Sequence, residues 1–164
     1  MSSLNILVLV LNIGTVKIEL FENDAPKHVA QIKKLAENHE YDGVVFHRVI
    51  DGFMAQTGDV EYGKYDNLNI GLVGTGQSNL PNIPAEFSNL AHVRGTVSMA
   101  RSNEPNSGNS QFFICFEDAR FLDNQYSVFG KVIEGIDVVD SIKRGNPHSG
   151  SVNEPDYIIK AYIE

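Results

Sequence analysis

From Tyr41 onward the sequence breaks into short apolar runs, VVFHRVI, FMAQT, GTVSMA, SQFFICF, YSVFGKV and DYIIKAYI, divided by Gly, Asn, Pro and Asp. Runs this short, punctuated this often by turn-forming residues, fit a succession of strands in a barrel or sandwich better than buried helices. The same reading holds at the start of the chain. ILVLVL, then Asn12-Ile13-Gly14, then TVKIEL form a hairpin signature, in which Val16, Ile18 and Leu20 share one face and Lys17 and Glu19 the other. Two stretches depart from this pattern. Asp24 is placed to cap a helix with Pro26 in its first turn, and Ala25, Val29, Ile32 and Ala36 recur at helical spacing up to about Asn38. A second, shorter helix is expected over residues 136 to 142, ending at Gly145. The chain is therefore expected to be mostly β with two helices. Residues 60 to 92 and 102 to 110 are long, polar and rich in Gly, Asn, Ser and Pro, and loops of that size in a compact domain tend to carry function.

Bulk properties narrow the function classes. The 164 residues suit one domain spanning 1–164, and 42% apolar with 21% charged residues is a globular balance. With 21 acidic residues against 13 scattered basic ones the net charge is −8, which argues against a nucleic-acid partner. Cys115 is the only cysteine, so no intramolecular disulfide or thiolate metal site is available, and inside SQFFICF it reads as a buried thiol. The run LNILVLVLN has no basic residue ahead of it and is too short to span a bilayer, so no membrane segment is expected. The mature chain is expected to begin near Met1, in the cytoplasm. His28, His39, His47, His92 and His148 show no i, i+4 pairing and no H-E-x-x-H motif, so a metal site is not expected. Gly108-Asn109-Ser110-Gln111-Phe112 lacks the last glycine of a nucleophile elbow, and Gly74-Thr75-Gly76 lacks the remainder of a phosphate loop, so no cofactor is implied.

The stretch FHRVIDGFMAQTGD, residues 46 to 59, is the exception to a purely structural reading. In an extended chain Phe46, Arg48 and Ile50 project one way and Val45, His47 and Val49 the other, which stands Arg48 among apolar neighbours. A strand arginine ordinarily finds a carboxylate or snorkels to solvent. Here Gln56 lies on the next run, and the nearby SQFFICF holds more aromatic rings than one core face needs. A guanidinium and an amide at the rim of an apolar slot suit a small apolar group next to a carbonyl, such as a proline within a peptide.

These motifs closely resemble those of the cyclophilins, the peptidyl-prolyl cis-trans isomerases. The matching blocks are Phe46-His47-Arg48-Val49-Ile50, Gly52-Phe53-Met54, Gln56-Thr57-Gly58-Asp59 and Gly95-Thr96-Val97-Ser98-Met99-Ala100. They continue through Asn106-Ser107, Ser110-Gln111-Phe112-Phe113-Ile114-Cys115 and Phe121-Leu122-Asp123 to Val128-Phe129-Gly130-Lys131-Val132, in the family's order and roughly its spacing. The resemblance covers the whole chain. It implies a closed eight-stranded antiparallel barrel with a helix over each open end, whose lumen holds only side chains, so that the site lies outside. It implies Arg48 as the catalytic arginine and Phe53, Met54, Phe113 and Leu122 as a proline pocket, with Gln56 and Gln111 bonding the substrate backbone. Ala100 and Arg101 are implied to flank the peptide with their backbone, and Gly74, Thr75 and Gly76 to line an adjoining pocket. Phe112 is expected in the core, and His47, on the face opposite Arg48, is expected to be structural.

Two departures are visible within the site. Tyr126 stands where many members carry histidine, keeping a ring wall, and Phe121 replaces a tryptophan that helps hold cyclosporin, which implies reduced affinity for that drug. The loop ARSNEPNSGNSQ is one residue longer than in common eukaryotic members, and GKYDNLNIGLVGTG and NLPNIPAEF follow a bacterial pattern. The expected partners are proline-containing peptides and unfolded or folding proteins, with no cofactor, and the expected state is a monomer. Two alternatives stay open: a proline-peptide binding module without catalysis, and a general folding helper acting outside the pocket.

Overall fold

Strands β1 (Ile6–Leu11) and β2 (Gly14–Leu20) form the expected hairpin. Their register pairs Leu11 with Gly14, leaving Asn12 and Ile13 as a two-residue loop. The computed structural model describes residues 5–164, and Met1 at the head of the chain lies outside that range. After helix α1 (Pro26–Glu37) come β3 (Arg48–Ile50), β4 (Met54–Thr57), β5 (Thr96–Met99), β6 (Phe112–Cys115) and β7 (Val128–Glu134). Helix α2 (Ile136–Asp140) and β8 (Ile158–Ile163) complete the order, and 3₁₀ turns lie at Tyr65–Asn67 and Arg120–Leu122.

All eight strands join one antiparallel sheet in the order β3-β4-β6-β5-β7-β2-β1-β8. The expectation of a closed barrel is corrected here: β3 and β8 end the ladder, and the sheet curls into an open half-barrel. The cause lies in VVFHRVI, which does not run as one strand. Its first half bonds toward β8, with the Ile158 N–H on the Val44 carbonyl at 2.9 Å and the Phe46 N–H on the Asp156 carbonyl at 2.9 Å. Its second half turns to a different segment, with the Val49 N–H on the Gly150 carbonyl at 2.8 Å. Among the described residues the seam is therefore spanned by isolated bridges, Val45 to Tyr157 and Arg48 to Ser151, and not by a continuous ladder. The switch of partner also breaks the alternation. Phe46 joins Val49 in the main core rather than sharing a face with Arg48, which corrects the simple two-sided reading of this run.

Inside the curl, Leu7, Leu9, Val16, Ile18, Phe112, Ile114 and Phe129 form a continuous buried core. Phe112 meets Tyr41 and Phe129 edge-on, with ring centroids 5.6 and 5.9 Å away. The buried Tyr41 hydroxyl donates to the Ser110 carbonyl at 2.7 Å. Helix α1 buries His28, Val29, Ile32, Leu35 and Ala36 and packs against β8, while α2 packs against β2. Asp24 does not cap α1: the N-cap is Ala25, which has no side-chain cap bond. Glu86 caps it instead from the long loop, accepting the Lys27 and His28 N–H groups at 3.1 and 2.9 Å. Its carboxylate also bonds the buried His28 ring, and these bonds hold it below the usual carboxylate range against the opposing effect of burial. Glu86→Ala is expected to lower the unfolding free energy by about 1–2 kcal/mol in urea titrations, and an unchanged midpoint and slope would show that the loop carboxylate contributes nothing to the helix.

Candidate functional site

The register of three short strands sets the site. Arg48 on β3 lies opposite Gln56 on β4, Gln56 opposite Phe113 on β6, and Phe113 opposite Ser98 on β5. In the next outward row Ile50 faces Met54, and Met54 faces Cys115. The intervening residues Val49, Ala55, Phe112 and Ile114 belong to the main core. Because alternate residues take opposite faces, Arg48, Gln56 and Phe113 stand together on the other side of the sheet. There Met54, Phe113, Cys115, Ala119 and Leu122 form a second apolar cluster, with Ile50, Phe53, Ala100 and Tyr126 packed on it.

This cluster leaves a cavity of about 100 Å³. Arg48, Phe53, Met54 and Gln56 line it from β3–β4; Phe113, Leu122 and Tyr126 line it from β6 and the turn beyond. Ala100 and Arg101, which follow β5, complete the lining. The structure thus gathers most of the residues singled out from sequence. Phe121 stands apart: its ring is 67% exposed and rests on the rim, 5.6 Å from the Phe53 ring. Gln111 lines an adjoining cavity of about 520 Å³ together with Gly74, Thr75 and Gly76, and Gln56, Ala100 and Arg101 border both cavities.

A chain of amides connects the two cavities. Arg48 Nη1 donates to Gln56 Oε1 at 3.3 Å, Gln56 Nε2 to Gln111 Oε1 at 3.0 Å, and Gln111 Nε2 to the Gly74 and Gly76 carbonyls at 3.0 and 2.9 Å. Gln111 thereby spends both N–H donors on the loop at residues 74 to 76, while Gln56 keeps one to spare. Among the described residues Arg48 forms no ion pair. Arg101 is held differently: Nε and Nη2 donate to the Gln125 carbonyl at 2.9 and 2.7 Å, Nη1 to the Ser102 carbonyl at 2.9 Å, and the guanidinium carbon lies 4.6 Å from the centre of the Tyr126 ring.

Several residues that shape the site carried no chemical signal in the sequence. Asp59 is buried, and its carboxylate accepts four backbone N–H groups, from Glu61 and Tyr62 at 3.0 and 2.8 Å and from Gly74 and Gly76 at 2.7 and 3.0 Å. A side chain at Gly76 would collide with that carboxylate, and Gly74 sits at φ +101, so both glycines answer a geometric need. Behind Phe113, the buried His92 ring stacks at 6.1 Å and 18°. Its Nδ1 lies 3.0 Å from Asp123 and its Nε2 3.0 Å from Ser98. Asp123 also accepts from Arg120 and from the His92 N–H, bonds that hold its carboxyl down to about 2. Asp59, Ser98 and Asp123 fall inside the quoted motifs, and their position there is the only pointer to them; His92 ends the long loop 60 to 92, just ahead of the motif that starts at Gly95, and has no such pointer.

Cys115 is buried as expected, and burial pushes its thiol up to about 12, which leaves it without a reactive thiolate. Among the described residues, no group of three or more His, Cys, Asp or Glu side chains gathers as metal ligands would, and no helix is long and apolar enough to cross a membrane.

Comparison with known proteins bears on this arrangement. The model of the family described as cyclophilin type peptidyl-prolyl cis-trans isomerase/CLD matches residues 6–163. The chain belongs to this cyclophilin family. It is 58% identical over 162 residues to a Brucella suis protein named "Probable peptidyl-prolyl cis-trans isomerase", covering 98% of this chain and 83% of the relative. It is 41% identical over 139 residues to the peptidyl-prolyl cis-trans isomerase of Helicobacter pylori, covering 82% and 78%. A crystal structure of a cyclophilin from Hirschia baltica superposes with a TM-score of 0.81 at 30% identity, covering 96% of this chain and 73% of that one. A Cryptosporidium parvum cyclophilin type isomerase, solved in the presence of the dipeptide Ala-Pro, gives 0.82 at 26% identity, covering 97% and 98%.

Within this cyclophilin, His47 packs under Gly74 with neither ring nitrogen bonded among the described residues. Burial pushes its imidazole down to about 4, with Asp59 pulling upward and Arg48 pushing further down. In the unfolded chain the ring protonates near 6.5, so between about 6.5 and 4 the unfolded state binds the extra proton and stability falls as the pH drops. Proton NMR across this window is expected to show the His47 ring neutral down to about pH 5, and a midpoint near 6.5 would contradict its burial.

Proposed function

We propose that this cyclophilin accelerates rotation about X-Pro peptide bonds, with Arg48 as the catalytic residue. The observation that carries this reading is the placement of Arg48: it lines a small cavity together with Phe53, Met54, Phe113 and Leu122, and its side-chain bond is to a neutral amide, not to a carboxylate. Resonance keeps the amide planar against a barrier of about 18–20 kcal/mol, while the two X-Pro isomers differ by only about 0.5–1 kcal/mol. Catalysis therefore needs no bond broken and no proton moved. Half-way through the rotation the prolyl nitrogen loses conjugation and becomes a hydrogen-bond acceptor, which it is not when planar. A donor fixed beside it binds the twisted state in preference to either planar one, and that difference lowers the barrier.

The cavity wall of Phe53, Met54, Phe113 and Leu122 would hold the prolyl ring while the preceding carbonyl turns. Gln56 holds Arg48 from its carbonyl side and offers its remaining N–H to the peptide. Arginine suits the task because its planar donor array stays charged, whereas lysine presents a single point charge on a flexible stem. The family match over residues 6–163 supports reading the chain as one isomerase domain, acting on peptides and on folding chains with slow proline steps. Phe121, exposed on the rim, offers less surface to cyclosporin than a tryptophan would, so weak drug binding is part of this reading.

Arg48→Ala is expected to fold with an unchanged melting profile and to lose about a hundredfold or more in kcat/KM on a short X-Pro peptide, roughly 2.7 kcal/mol of transition-state stabilisation. Arg48→Lys is expected to recover only part of it. Near-full activity in Arg48→Ala would remove this residue from the mechanism.

A further inference from the structure

The larger cavity beside the proline pocket has a distinctive lining. Among the described residues that line it, Arg101 is the only charged one, and most of the rest is glycine, serine or side-chain amide, with Ala100 the lone aliphatic side chain. This lining is free of carboxylate, in a chain whose net charge is −8. The nearby carboxylates are turned to backbone N–H groups rather than into the cavity: Asp59 accepts those of Gly74 and Gly76 behind the lining at 2.7 and 3.0 Å, Glu61 that of Gln77 at 3.2 Å, and Glu104 that of Asn106 at 3.1 Å.

Arg101 itself cannot swing away without breaking its bonds to the Gln125 and Ser102 carbonyls and leaving the Tyr126 face. Those bonds use three of its five N–H groups, so one on Nη1 and one on Nη2 stay available. Together with Gln56 and Ala100 it borders both cavities, which sets a fixed positive charge at the junction between the proline pocket and its neighbour. The guanidinium is already ordered by these bonds, so pairing it with a carboxylate costs little extra side-chain freedom on the protein side.

We infer that Arg101 is a specificity-determining residue, and that the adjoining cavity selects substrates carrying Asp or Glu close to the proline. This rests on the isomerase reading above and adds to it the class of peptide that is turned over best. The acidic surface elsewhere repels such peptides at long range, so the preference is local and sensitive to salt.

Paired X-Pro peptides, identical except for Glu or Gln at one position scanned along both sides of the proline, provide the test. At one position wild type is expected to show a kcat/KM about two- to fivefold higher for Glu than for Gln, shrinking as salt is added. Arg101→Gln is expected to bring that ratio to unity, and Arg101→Glu to reverse it in favour of a Lys peptide, whatever happens to the absolute rates. Equal rates for Glu and Gln at every position, with wild type isomerising both, would overturn the acidic preference and leave the isomerase reading standing. A preference that survives in Arg101→Gln would also overturn it. Wild type that isomerises none of the peptides would take down both.

Discussion

Everything at the candidate site depends on the antiparallel register that sets Arg48 opposite Gln56 and Gln56 opposite Phe113. A slip of one residue in β4 would turn Gln56 and Met54 toward the core and present Thr57 and Ala55 in their place. What prevents the slip is the main core behind: Ala55 and Thr57 are fully buried there beside Val49, Phe112 and Ile114, and the slip would turn both outward while driving the Gln56 amide into apolar surroundings. The stability of the core and the composition of the outer row are thus one constraint. The open half-barrel does not weaken it, because the strands that carry the row are tied through β6 and β5 to the rest of the sheet.

Polar networks then fix what the strands alone leave loose. Asp59 gathers four N–H groups from two separate loop segments, so residues 74 to 76 are held where Gln111 can reach their carbonyls. On the far side, Asp123 and Ser98 hold the two ring nitrogens of His92 under Phe113. In surroundings this dry, each such group would be costly if left unpaired, which makes the arrangement stiff once formed. The two guanidiniums differ in the same terms. Arg48 has one long bond to a neutral amide, whereas Arg101 makes three bonds to two carbonyls and lies over a ring, so Arg48 keeps the donors to offer and Arg101 the fixed position.

Much of this was legible in the sequence, and unevenly so. Alternation along TVKIEL and the period of Ala25, Val29, Ile32 and Ala36 are local facts of the chain, and the hairpin and α1 followed from them. The gathering of Arg48, Phe53, Met54 and Phe113 was readable only through the family resemblance, since their meeting depends on pairing between distant strands. VVFHRVI looks uninterrupted in sequence and so suggests a closed barrel, while its hydrogen-bond partners change at Phe46 and His47. The cap on α1 differs from its sequence signal for a similar reason: Asp24 is adjacent in sequence, but Glu86 arrives from a loop that no local pattern can position. Asp59 and His92 have their meaning only in the partners they meet across the fold.

The central claim is that Arg48 favours the twisted amide over the planar one, and binding must be separated from rotation to test it. Exchange NMR on a saturating X-Pro peptide measures both, the dissociation constant from titration and the on-enzyme cis-trans rate from exchange cross-peaks. For Arg48→Gln the account predicts a dissociation constant within a few-fold of wild type and an on-enzyme rate lower by about two orders of magnitude. A variant that binds far more weakly yet rotates its bound peptide at the wild-type rate would make Arg48 a binding residue and contradict the account.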